Sequence, residues 1–474
     1  MAKKYPIYCG GEWRTGGKPL EIKNPFNDEI VGTTSYATEQ DLEDAIERAE
    51  KAFREGGHTP AYERAGYLTK IADQMHERRD ELAKLITAEA GKPLRDSRVE
   101  VDRGVFTMRL AAEEAQRMTG EQIPLDLMPS SKGRFGITRK VPIGPIAGIS
   151  PFNFPLNLAL HKLGPALASG NPLILKPPTR DPLTMLAVAD MVHEAGVPAG
   201  MVSIMPMDRE LGDKLVTDER FKLLTFTGSP DVGWDMKSRA GKKKVVLELG
   251  GNAGVIVDRD ANLDFAVGRI LTGSFAYAGQ VCISVQRAYI HRDVFDSVVE
   301  RLVQAAGNVK MGDPADAATE LGPMIDEKAV ARIHDWVQTA VSEGATVHSG
   351  GEPEGRFYPP TILSGVSRDS FVCTREAFAP IVILFPFDDW SAGLDQINDS
   401  VFGLQAGVFT DKLEHALMAF DRLDVGGVIL NDIPTYRIDH MPYDGIKDSG
   451  LSREGLRYAI DDMTETRLLV INRP

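Results

Sequence analysis

Cys282 stands in the glycine-led stretch Gly279-Gln280-Val281-Cys282-Ile283-Ser284 and is one of three cysteines in a chain of 474 residues. A thiol is mostly protonated at neutral pH and attacks carbon as the thiolate, so a reactive cysteine needs positive potential, a helix N-terminus or a nearby base. Two other residue types could serve it. Asn153, set between the Phe-Pro pairs of Pro151-Phe152-Asn153-Phe154-Pro155, carries an amide able to donate to an oxyanion. Glu248, at the end of an apolar run and before Leu249-Gly250-Gly251, carries a carboxylate that can act as a base if it faces a cleft. Each has a plainer alternative: a buried inert cysteine, a loop-capping asparagine, a solvated glutamate.

The elements that must position these residues are legible in the hydrophobic period. Residues 13–34 alternate short apolar pieces with Gly, Pro and Asn, as hairpins do, and Asn24-Pro25 marks a turn. Thr38 with Asp41 resembles a capping pair for a helix carrying Leu42 to Phe53. A second helix is expected over 68–86, ending at Gly91-Lys92-Pro93, and a third over 94–118. From residue 146 short apolar runs (146–149, 173–175, 202–205, 223–226, 245–247) alternate with helical stretches, among them one opened by Asp181-Pro182 as cap and first turn. Strand-helix-strand repetition predicts a doubly wound parallel sheet with its ligand beyond the carboxyl ends of the strands. A second such series follows residue 251, with strands at 255–257 and 288–291, a helix over 265–275 and a late buried strand at 426–431.

Composition narrows the function. The 54 basic and 68 acidic side chains leave a net charge of −14, which argues against nucleic acid or an anionic membrane as partner. No run approaches the roughly 18 apolar residues of a membrane span. Cys9, Cys282 and Cys373 show neither metal-ligand nor disulfide spacing, so no metal is expected and a cytoplasmic, reducing compartment is.

Pro151 to Pro155, Lys176-Pro177-Pro178, Phe226-Thr227-Gly228-Ser229 with Gly233, Glu248 to Gly251, Gly279 to Ser284 and Glu376-Ala377-Phe378, in this order, resemble the NAD(P)-dependent aldehyde dehydrogenase superfamily across essentially the whole chain. The resemblance implies an α/β fold of two doubly wound domains plus a small β oligomerisation element. Residues 1–120 and 142–251 would bind the dinucleotide, 252–444 would form the catalytic domain, and 121–141 with 455–474 the oligomerisation element. It implies Cys282 as nucleophile, Asn153 and the Cys282 N–H as oxyanion donors, and Glu248 as the base that hydrolyses the thioester.

For NADP or NAD it implies Ser150, Pro151, Phe152, Lys176, Thr179, Gly228, Ser229, Gly233, Leu249, Glu376 and Phe378. Thr179 stands where members restricted to NAD+ commonly carry a glutamate, which points to acceptance of NADP+. Glycine is usual where Ala379 stands, which puts the local backbone in question. Near the end Tyr443-Asp444 replaces the usual Phe-Gly at the substrate mouth.

Arg103, Phe154, His161, Ile283, Arg437 and Tyr443 are expected to line a substrate site. Arg103 and Arg437 resemble phosphate-binding positions of non-phosphorylating glyceraldehyde-3-phosphate dehydrogenases, although Val281 replaces a further arginine of those enzymes. The alternative for the two arginines is pairing with Glu100 and Asp439. The implied activity is oxidation of a small polar or anionic aldehyde, lactaldehyde-like or glyceraldehyde-3-phosphate-like, to the acid; alternatives are a semialdehyde or phosphonoacetaldehyde-type dehydrogenase, a coenzyme A-acylating enzyme, or a non-catalytic member. The expected assembly is a homo-oligomer, a tetramer before a dimer.

Overall fold

Five parallel strands alternate with helices along the chain to build the first sheet of the protein, seen here in a computed structural model that describes residues 3–56, 59–443 and 445–473. Its order is Gly450–Leu451, Lys244–Glu248, Leu223–Thr227, Ile146–Ile149, Leu173–Lys176, Val202–Ile204, Ile7–Cys9, Glu12–Arg14. The first parallel strand, Ile146–Ile149, lies between the fourth and the second, so strand order reverses beside it. That reversal opens a crevice at the carboxyl ends, where Ser150, Lys176, Gly228 and Glu248 follow directly or stand last in their strands.

The second sheet orders Thr346–Ser349, Thr361–Ser364, Ile381–Phe387, Arg287–His291, Gly254–Val257, Gln405–Phe409 and Gly427–Leu430, parallel except at the first pair. Cys282 sits in the connection between the helix Leu263–Phe275 and the strand Arg287–His291. A separate three-stranded sheet pairs Thr464–Asn472 with Arg134–Pro142 over nine residues and adds Gln122–Pro124. The partners expected for the small arm therefore pair within one chain. Its terminal strand begins at Thr464, while Leu456, Ile460 and Met463 pack into the first core.

Local chemistry explains most elements. Thr38 and Asp41 do form a reciprocal cap: Thr38 N–H donates to Asp41 Oδ2 at 2.9 Å and Asp41 N–H to Thr38 Oγ1 at 3.1 Å. The Asn24 side chain accepts from Phe26 N–H at 2.9 Å, making the expected turn.

Three expectations are corrected. The helix expected over 68–86 is two, Ala61–Glu77 and Arg79–Ala90, because the six polar residues 76–81 offer nothing to the core and Arg78 takes φ −97°, ψ 21°. The helix Leu183–Glu194 is capped not by Asp181 but by Glu89, whose carboxylate accepts from Leu183 and Thr184 N–H, each at 2.8 Å. The strand Gly427–Leu430 is not buried; it is a sheet edge with Leu430 half exposed. Asp444 falls outside the described residues.

Candidate active site

The Cys282 loop is held by an unusual backbone. Tyr277, Ala278 and Gly279 take φ of 48°, 52° and 66° in succession, a left-handed run that costs about 1–2 kcal/mol for each residue with a Cβ. Tyr277 is tied down by its hydroxyl, which donates to the Ala90 carbonyl at 3.0 Å. At Gly279 a Cβ would stand 2.0 Å from the Ala379 carbonyl oxygen, so glycine is required there. The left-handed residue of the neighbouring Glu376 segment is Phe378, at φ 49°, and Ala379 is not among the positive-φ residues. Alanine in place of the usual glycine is thus accommodated without strain.

Asn153, Glu248 and Cys282 line one cleft of about 870 Å³ between the two sheets' loop clusters. One N–H of the Asn153 amide donates to the Gln280 carbonyl at 3.0 Å. This fixes the amide against the nucleophile loop and leaves its second N–H to donate elsewhere. Cys282 is largely enclosed, and burial pushes its thiol up, with Glu376 and Glu454 adding to that. A hydrogen bond from Tyr443 and the charge of Arg437 pull it down.

The same cleft is lined by Ser150, Pro151, Phe152, Gly228, Ser229, Leu249, Glu376 and Phe378. Phe152 and Phe378 meet edge to face at 5.8 Å. The helix Pro230–Arg239 starts at Ser229 with no side-chain cap, so its first amides need another acceptor, and an anion at that end meets N–H groups and the positive end of the dipole. Glu376 accepts from Gly251 N–H at 3.1 Å, and burial pushes its carboxyl up to about 7. These groups suit a dinucleotide: donors for a pyrophosphate, a carboxylate for ribose hydroxyls, and apolar walls. Lys176, Thr179 and Gly233 lie outside this lining. Lys176 runs over Gly212, burial lowering its pKa against the pull of Asp208, and Thr179 Oγ1 donates weakly to the Met207 carbonyl at 3.5 Å.

A second cavity of about 210 Å³ shares Cys282 and Leu158 with the cleft. Arg103, Phe154, Ile283, Arg437 and Tyr443 line it, together with Lys92, Asp96 and Glu100. His161 does not. It is buried behind the wall and bonds Asp439 at 2.9 Å. The arginines do pair with acids, though not in the pairings named as the alternative. Arg103 pairs with Asp439 (2.6 Å), Arg437 with Glu454 (2.6 Å), and Glu100 with Lys92.

Although burial opposes it, His161 and Arg103 hold the Asp439 carboxyl well below the usual range. Arg437, His161 and Lys162 likewise outweigh burial at Glu454. Lys92, Lys162 and Glu454 were not singled out as site residues from the sequence, and Asp439 entered only as an alternative partner for an arginine. One signal existed: His161 and Lys162 are the ionisable residues of the otherwise uncharged, wholly buried helix Asn157–Ser169.

An enclosed cysteine flanked by an amide and a carboxylate, beside a crevice at a strand-order reversal and between a long cleft and a small pocket with charged side chains in its wall, defines an oxidoreductase of the NAD(P)-dependent aldehyde-oxidising class. The chain belongs to the aldehyde dehydrogenase family, whose model matches residues 13–469. It is 43% identical to the 3-sulfolactaldehyde dehydrogenase of Priestia megaterium over 473 residues, covering 100% of this chain and 99% of the relative. Two solved structures superpose along nearly the whole length. Aldehyde dehydrogenase 21 from Physcomitrella patens in complex with the reaction product succinate has a TM-score of 0.98 at 45% identity, covering 100% of this chain and 99% of the other. The glyceraldehyde-3-phosphate dehydrogenase GapN from Methanocaldococcus jannaschii complexed with NADP has 0.92 at 35%, covering 97% and 100%.

Proposed function

We propose that the protein oxidises a small polar aldehyde, hydroxylated or bearing an anionic group, to its carboxylic acid. The observation that carries this reading is the 210 Å³ pocket at Cys282. Lys92, Arg103 and Arg437 line it with Asp96 and Glu100, while Asp439 and Glu454, the partners of the two arginines, do not, so three cations and two carboxylates border the space a substrate would fill. The size suits a carbon skeleton of a few atoms. The relatives point the same way, since one acts on 3-sulfolactaldehyde and another was solved with succinate. A semialdehyde is therefore the second reading.

In this proposal the Cys282 thiolate adds to the carbonyl carbon, and the oxyanion takes hydrogen bonds from the free N–H of Asn153 and the Cys282 backbone. Ser229 and the helix end after it, Glu376 and Leu249 would hold a nicotinamide dinucleotide, which would supply the hydride acceptor. Glu248 activates the water that cleaves the thioester left on Cys282. Transfer to coenzyme A would leave Glu248 without this task, and a non-catalytic member would have no need of the strained Cys282 loop. The absence of an acid at Thr179 supports use of NADP+, because nothing there repels a 2′-phosphate. We assign dinucleotide binding to residues 1–120 and 142–251 and catalysis to 252–444.

A panel of aldehydes assayed with both cofactors tests this reading. Sulfolactaldehyde, lactaldehyde, glyceraldehyde 3-phosphate and succinate semialdehyde are expected to exceed propanal and longer alkanals in kcat/KM, with NADP+ accepted. A preference for long alkanals would sink it. Arg103→Gln is expected to raise KM for the anionic members about tenfold or more, the worth of one charge-assisted hydrogen bond, while propanal changes by less than about twofold. Asp439 keeps His161 and Asn157 as partners in that variant, so the fold is preserved. Equal changes for both classes would show that Arg103 does not read the substrate.

Self-association is part of the proposal. Leu413, Leu417 and Phe420 form an exposed stripe at helical spacing on Leu413–Arg422, and Leu468, Leu469 and Val470 are exposed on the terminal strand. Apolar surface of this kind supports a homo-oligomer, a tetramer before a dimer. Sedimentation of a monomer at micromolar concentration would contradict it.

A further inference from the structure

Among the described residues, the hydroxyl of Tyr443 has one hydrogen-bond partner, the Cys282 sulfur, at 3.1 Å. Tyr443 and Glu454 are buried, and the Arg437 side chain is 6% exposed. The Arg437 guanidinium stacks on its ring with the central carbon 3.7 Å from the centroid. Arg437 in turn donates to Glu454 Oε2 at 2.6 Å. Glu454 also grips the main chain of Tyr443, accepting from its N–H at 3.2 Å and donating to its carbonyl at 2.7 Å. Tyr443, Arg437 and Glu454 thus close a triangle of one backbone bridge, one ion pair and one cation–π contact, with the phenol oxygen at its free corner against the sulfur.

The chemistry of that corner changes with the charge on sulfur. While Cys282 is protonated either atom can donate. Once it is ionised the sulfur can accept and no longer donate, so Tyr443 has to be the donor. Burial keeps the phenol itself protonated and available for this, with Cys282 and Glu248 acting in the same direction and Arg437 against it. The thiolate faces Arg437, which favours it, and Glu376 and Glu454, which do not. Hydrogen bonding to the charged form is the remaining way to stabilise an anion in so enclosed a place.

We propose that Tyr443 is a further catalytic residue: its O–H donates to the Cys282 thiolate and holds the nucleophile ready, while Arg437 and Glu454 are the positioning residues that aim the phenol. This rests on Cys282 being the nucleophile. The thiol proton leaves to solvent, the phenol keeps its own proton throughout, and on attack the sulfur lone pair becomes the C–S bond, releasing the Tyr443 hydroxyl.

The test is the pH profile of Cys282 alkylation by iodoacetamide in the full-length enzyme, followed by mass spectrometry of the labelled peptide and by loss of turnover. Tyr443→Phe is expected to move the midpoint up by about one pH unit and to slow labelling at pH 7 about tenfold, with NADP+ affinity unchanged within about twofold. Enzyme carrying 3-fluorotyrosine at 443, a more acidic phenol and stronger donor, is expected to move the midpoint the other way. A role in packing alone would not produce shifts of opposite sign. Coincident profiles in wild type and Tyr443→Phe overturn the proposal. If the phenylalanine variant does not fold, an unmoved midpoint in the fluorotyrosine enzyme overturns it alone. Complete labelling of Cys282 without loss of turnover would remove the nucleophile assignment, and with it this proposal.

Discussion

Cys282→Ser is expected to lower turnover with any aldehyde by about four orders of magnitude or more while leaving dinucleotide affinity within about twofold of wild type. The loss is large because a serine hydroxyl ionises far above neutral pH, and nothing around position 282 would lower it enough. Arg437, the cation that pulls the thiol down, is paired with Glu454, and burial disfavours any anion there. The affinity survives because the cleft's anion-binding and ribose-binding groups, Ser229 and Glu376, stand on other segments of the chain. Steady-state rates and a fluorescence titration with NADPH check the two halves separately. Retained turnover would end the assignment of Cys282, whereas lost affinity would show that the substitution had collapsed the loop.

Glu248→Gln is expected to separate the two halves of the reaction. Rapid mixing should yield about one equivalent of reduced cofactor per active site, followed by a steady state slower by about a hundredfold or more, the usual worth of a general base. The amide keeps the size and much of the hydrogen bonding of the carboxylate at the end of the strand Lys244–Glu248, so the fold is preserved, but it cannot take a proton from water. Acid quench during the slow phase should trap an acyl group on Cys282. If the burst disappears with the steady state, Glu248 acts before hydride loss, most simply by accepting the thiol proton. Fast turnover in the variant would reopen the coenzyme A-acylating alternative.

These two predictions rest on residues that the sequence singled out, because local chemistry marks them. Cys282 follows a glycine that the backbone requires, Asn153 lies between two Phe-Pro pairs, and Glu248 ends a strand whose apolar run is visible without a structure. Alternating strand and helix periods likewise determine both parallel sheets, since period 2 and period 3.6 are properties of neighbouring residues. The resemblance then supplied roles that spacing could not.

Tertiary structure alone decided which charges pair. Asp439 rather than Glu100 holds Arg103 across 336 residues, and Glu454 rather than Asp439 holds Arg437. It also withdrew His161 from the substrate wall and set Tyr443 against the sulfur across 161 residues. A local period records which face of an element is buried. Which cation meets which carboxylate inside the core depends on how distant elements dock, and desolvation there makes each pairing decisive, because a buried charge left alone costs several kcal/mol.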